Sequence, residues 1–225
     1  MIAARLAVGA TALVFALDGV NLFTSATLIT LSVVLEGVTA QIARWRRWPA
    51  GPLEAVLGAL ADYLTWIVAP WVLLQSMLVG QRSPVQELLL DLPLLAGAVR
   101  GARRAVAALA ADRGAVPRGL GAVCFALLSV TAVFVRLPAL LSISLLTMIA
   151  APVVAVVSVL MVAPLRYPSL AQTPRLAVVS LAFVAIMPFL ASEVLASALM
   201  IAGALYLVVA PFLVSQSSAS AAAAH

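Results

Sequence analysis

Of the chain's 225 residues, 65% are hydrophobic and 9% charged, against about 25% charged in an ordinary soluble domain. With a mean hydropathy of +1.19, this excludes a water-soluble globular protein and points to an integral membrane protein. The charge is carried by 13 arginines, no lysine, eight acids and one terminal histidine. A pI near 10.7 does not argue for a nucleic-acid partner, which needs a basic face in water, because these arginines lie between long apolar runs. Cys124 stands alone, so neither a disulfide framework nor a Cys/His metal cluster is expected.

A spanning helix needs about 20 mostly apolar residues. That length divides the chain into about eight candidate spans: 2–20, 22–43, 52–79, 85–110, 119–136, 139–163, 175–191 and 193–214. The expected fold is therefore an all-α bundle forming one domain over 1–214. The low-complexity tail 215–225, which ends at His225, is expected to be disordered. Segment 2–20 reads as a helix rather than a signal peptide, since no small-x-small cleavage site precedes a polar region. Pro84, Pro117, Pro138, Pro168 and Pro174 fall at or near breaks, where a missing N–H costs least. Pro70, Pro93, Pro152, Pro188 and Pro211 lie inside or near the ends of spans and predict kinks, which membrane bundles tolerate.

With the N-terminus inside, one side of the membrane receives Arg5, Arg44, Arg46, Arg47, Arg100, Arg103, Arg104, Arg113, Arg118, Arg166 and Arg175. The other receives only Arg82 and Arg136. This asymmetry predicts both termini on the cytoplasmic side of a bacterial-type inner membrane, with the arginines marking topology and lipid headgroup contact. Trp45 and Trp48 fit an interfacial belt.

Acids inside spans cost roughly 2.5–3.5 kcal/mol each on insertion scales, so each requires a reason. Glu54, Gly58 and Asp62 share one side of the third span at spacings of four, and Asp62 lies roughly 12 Å deeper than Glu54 from the helical rise. Glu36 sits near the end of the second span. Glu36 and Glu54 either snorkel to the headgroups or join Asp62 around a divalent cation. Tyr63 and Thr65 are candidate hydrogen-bond partners for Asp62.

The stretch Leu35-Glu36-Gly37-Val38-Thr39-Ala40-Gln41, followed by Leu57-Gly58-Ala59-Leu60-Ala61-Asp62, resembles the signature of the CDP-alcohol phosphatidyltransferases, D-x-x-D-G-x-x-A-R then G-x-x-x-D-x-x-x-D. Further segments resemble the phosphatidylserine synthase branch: Val68-Ala69-Pro70, Gly97-Ala98-Val99-Arg100-Gly101-Ala102-Arg103, Gly114-Ala115-Val116-Pro117, and Leu160-Met161-Val162 with Arg166-Tyr167-Pro168-Ser169. The resemblance implies transfer of a phosphatidyl group from CDP-diacylglycerol to a small alcohol, with release of CMP. Mg2+ or Mn2+ would be held by the motif acids in an active member, and none is needed in an inactive one.

Laid on this chain, the first aspartate position is Val33, the second Glu36, the third Gly58 and the fourth Asp62; the motif arginine is Gln41 and the second-helix glycine is Glu54. The implied roles are Asp62 as catalytic base, with Glu36, Asp62 and a displaced Glu54 as metal ligands. Gly37, Ala40 and Gly58 lie on the nucleotide side, and Arg100, Arg103 and Arg166 on lipid or other anions. Arg100 and Arg103, spaced i, i+3, are expected to share a face.

Two functions remain open. One is a phosphatidylserine synthase-like transferase with an altered metal site. The other is a non-catalytic relative that binds anionic lipid or an active partner enzyme. Small residues through the spans allow close packing, including a homodimer. A transporter would call for an inverted repeat, which the sequence does not show.

Overall fold

The computed structural model describes residues 2–46, 52–80, 82–109, 121–135 and 142–163, with residues 197, 198 and 201. These residues are helical throughout their regular structure: α1 (Ile2–Leu17), α2 (Leu22–Arg46), α3 (Pro52–Tyr63), a π-helical segment (Leu64–Val68), α4 (Ala69–Met77), α5 (Pro84–Leu109), α6 (Ala122–Phe134) and α7 (Ile143–Val162). Because α3, the π segment and α4 run on as one rod, there are six rods among the described residues. They coincide with the first six candidate spans. The candidates 175–191 and 193–214, and the tail, lie outside the described residues apart from isolated helical positions.

Three stretches are long and apolar enough to cross a membrane: Leu22–Thr39, Val56–Met77 and Ile143–Val162, the last with a mean hydropathy of 2.6. α1 and α6 are apolar but shorter. The surface agrees with a lipid setting. Val153, Val156 and Val159 on α7 all face outward, and apolar residues on every side of that helix mark one that does not face water, whereas α5 exposes Leu88, Leu95 and Val106 beside charged residues.

Local chemistry sets the boundaries. α1 ends at a turn in which Gly19 adopts φ +65°, the left-handed conformation that glycine supplies at a helix C-terminus. The third rod carries Pro70. A proline in a helix removes one backbone donor and clashes with the carbonyl four residues back, here that of Trp66. The widened turn over Leu64–Val68, in which the Ala69 N–H reaches Leu64 O, makes room for it. Ser142 caps α7 by accepting from the Leu145 N–H.

Two apolar clusters form the core, and the π segment belongs to both. Trp66 joins Ala12, Ile29, Leu73 and Val130 from α1, α2, α4 and α6. Its neighbour Ile67 joins Leu90, Phe125, Leu146 and Val157 from α5, α6 and α7. α1 reaches the third rod along a seam of Arg5, Gly9, Ala12 and Ala16. A methyl group on Gly9 would run into Thr65 Oγ1, so the missing side chain is what lets α1 come so close. On α5, a Cβ at Gly97 would lie 2.6 Å from Ile67 Cγ1. Side-chain hydroxyls tie the seams together: Ser25 donates to Ala12 O at 2.8 Å and Ser76 to Ala16 O at 2.7 Å.

Candidate functional site

The two glycine contacts bring α1 and α5 against the third rod beside Asp62. Asp62 is 7% exposed, in the last turn of α3, just before the π segment. A buried carboxylate requires charged partners, and it finds two. Arg5 of α1 donates through Nη2 to Asp62 Oδ1. Arg104 of α5 donates through Nη1 to Asp62 Oδ2 at 2.5 Å. Arg5 Nη2 also lies 3.8 Å from Glu36 Oε2 on α2, and its guanidinium stacks over the Trp66 ring at 5.2 Å. Four helices therefore meet at one ion cluster of two acids and two guanidiniums. Arg5 is sealed in, with its side chain 9% exposed, whereas Arg104 is 47% exposed and forms the outer edge.

Beside the cluster lies a narrow cleft between α3 and α5, walled by Asp62, Tyr63, Gly97, Arg100, Gly101 and Arg104. Its volume of about 20 Å3 is room for about one water molecule. Arg5 Nε, Thr65 Oγ1, Trp66 Nε1 and Ser32 Oγ are buried without a hydrogen-bond partner among the described residues.

The residues singled out from the sequence divide accordingly. Glu36 and Asp62 come together, joined through Arg5. Glu54 is exposed in the first turn of α3, two helical turns before Asp62. Tyr63 and Thr65 do not partner Asp62: the Tyr63 hydroxyl donates to Leu94 O at 3.2 Å, and Asp62 is met by arginines instead. Val33, at the first aspartate position of the resemblance, is 9% exposed and packs with Trp66 in the core. Gly58 is half-buried, and a Cβ there would meet nothing within 4 Å. Gly37 is half-buried on α2, and Ala40 follows on the same helix.

The expected shared face of Arg100 and Arg103 is not what the structure shows. Arg100 faces the cleft with Arg104, four residues on. Arg103 turns to α7, where it donates to Val162 O at 3.0 Å. The i, i+3 pair is split because α5 packs against α3 on one side and α7 on the other. Arg166 lies outside the described residues.

Divalent cations need several oxygen ligands and an excess of negative charge. Here Glu36 and Asp62 are balanced by Arg5 and Arg104, and both oxygens of Asp62 already accept from guanidiniums. Among the described residues, no group of three or more His, Cys, Asp or Glu side chains gathers to hold a metal. This donor set does not fit Mg2+ or Mn2+.

Arg5 and Arg104 are site residues that the sequence assigns only to topology and lipid headgroup contact. The available signals were weak. Arg104 follows Arg100 by one helical turn, and Arg5 shares a helix face with Gly9, Ala12 and Ala16. Compared with protein-family models, with curated proteins and with solved structures, the chain matches none.

Proposed function

We propose that this chain is a phosphatidyltransferase-like membrane bundle of about eight spans that recognises anionic phospholipid headgroups without transferring them. It acts in phospholipid metabolism through the lipid it binds or through an active partner enzyme. One observation carries the reading. Asp62, the motif aspartate that the resemblance retains, has both oxygens bound by the chain's own arginines. Where the related chemistry calls for cations gathered by four acids, this cluster carries its own cations as side chains. The half-exposed Arg104, with Arg100 on the same wall, supplies the charge-assisted donors that a phosphate requires.

A second reading, an altered phosphatidylserine synthase-like transferase, is favoured by the place of Asp62 in the cleft wall beside Arg100. In that reading, CDP-diacylglycerol draws Arg104 away through its phosphates. Asp62 Oδ2, freed while Oδ1 stays on Arg5, then accepts the proton of the incoming alcohol as its oxygen bonds to the phosphatidyl phosphorus and the bond to CMP breaks.

The test is release of CMP from CDP-diacylglycerol by the purified protein in lipid nanodiscs, with serine as acceptor and with Mg2+ or Mn2+ added. The expected result is no release above background. A second expected result is retention of anionic phospholipid on the wild type that falls in Arg104→Gln. Metal-dependent CMP release abolished by Asp62→Asn would instead establish the transferase.

A further inference from the structure

α5 presents a second basic position on a face that the Asp62 cluster does not use. Beyond Arg100 and Arg104, the opposite side of α5 and the facing side of α7 enclose an open apolar groove of about 450 Å3, within the range of small-molecule sites. Its walls include Leu92, Leu95, Ala96 and Val99 from α5 and Val159 and Val162 from α7. Ser158 Oγ in the wall is turned back onto Val154 O, so among the described residues the groove surface is almost wholly hydrocarbon. Arg103 follows Val99 by one helical turn, on the same face. Its guanidinium is exposed and is anchored at the groove end by Nη1 on Val162 O at 3.0 Å.

From this juxtaposition we infer that the α5–α7 groove is a binding site for an anionic phospholipid. One acyl chain lies along Leu95, Val99 and Val159, and the phosphodiester sits on Arg103. Charge complementarity selects the occupant. Inside a bilayer an apolar groove gains little from one hydrocarbon chain over another, so the groove sets where the chain lies and Arg103 sets which headgroup accompanies it. This site is separate from the cleft at Asp62 and does not depend on how that cleft is used. A single arginine at the membrane surface is worth about a fivefold preference for an anionic headgroup.

The full chain is reconstituted in phosphatidylcholine nanodiscs with a minor fraction of a phospholipid bearing a photoreactive group in its acyl chain. The headgroup of the probe is either phosphatidylglycerol or phosphatidylcholine, and labelled peptides are mapped. The expected result is labelling on α5 and α7 around Val99 and Val159, about fivefold stronger with the phosphatidylglycerol probe. Arg103→Gln abolishes that preference, Arg103→Lys keeps it, and Val159→Trp, which fills the groove from its exposed wall, removes labelling by both probes. Arg104→Gln leaves all of this unchanged, which separates the groove from the cleft.

Equal labelling by the two probes in the wild type, or a preference that survives Arg103→Gln, overturns the inference. So does a disulfide between Val99→Cys and a cysteine introduced within 175–214, which would show that the chain's own C-terminal segment covers the groove.

Discussion

Two aspartates on neighbouring rods, Asp62 and Asp91, are held by opposite means. Asp62 is buried and bracketed by two guanidiniums from two other helices. Asp91, on α5, is exposed and accepts from neutral donors of α4, Trp71 Nε1 at 3.0 Å and Gln75 Nε2 at 3.2 Å. The nearby Arg82 binds Gln75 and the backbone of α4 rather than Asp91. The contrast shows how environment sets the kind of partner. An exposed carboxylate keeps part of its solvation and needs only dipoles, whereas a buried one must be matched charge for charge.

Removing each charge in turn tests the contrast. Asp62→Asn leaves Arg5 sealed among apolar helices with Glu36 at 3.8 Å as its remaining acid. We expect a loss of about 3–5 kcal/mol, as for one partner removed from a buried pair, read by thermal unfolding in detergent. Replacing the pair together, as Arg5→Met with Asp62→Leu, should recover part of that loss, because a buried ion pair exchanged for apolar packing is close to neutral, while Glu36 and Arg104 lose these partners. If the double variant is no better than Asp62→Asn, Arg5 is not what Asp62 compensates.

A smaller effect is expected at the glycine that lets α5 approach. Gly97→Leu forces atoms against Ile67 and should cost about 1–3 kcal/mol, the usual range for overpacking. It should also loosen Arg104 from Asp62, read as faster hydrogen exchange in α5. The smallest effect belongs to Asp91→Asn, about 1 kcal/mol or less, since the amide oxygen still accepts from Trp71 and only a partly solvated hydrogen bond is weakened. A cost at Asp91 equal to that at Asp62 would break the comparison.

The apolar runs made the helices themselves legible. Every described rod falls on a predicted span, because a long stretch such as Ile143–Val162 has few other ways to satisfy its backbone in lipid. The facing of individual residues was much less legible. Arg5 looks like any flanking arginine, since a single position in an apolar helix gives no depth until Gly9 is seen to draw α1 onto the third rod. Arg103 and Arg104 are adjacent in the chain and equal in charge, and only the packing of α5 between α3 and α7 sends them to different neighbours. Val33 could be read as a lost ligand from the sequence, but its place in the Trp66 core requires the fold. The resemblance singled out Asp62 and Glu36, and composition could not foresee that the cations beside them would be side chains.

The widened turn over Leu64–Val68 has one more consequence, for changes in chain length. A π turn absorbs one residue more than an α turn over the same path. Deleting Leu64 should therefore close the widened turn and keep Asp62 on one side and Trp71 and Gln75 on the other in their directions, at the cost of returning Pro70 to the Trp66 carbonyl. A one-residue deletion elsewhere between Val56 and Met77 has no such slack and swings one flank by about 100°, the angle per residue of an α-helix. That rotation would carry either Asp62 away from Arg5 or Trp71 away from Asp91. The segment beside the ion cluster is thus where this helix can lose a residue without losing its alignment.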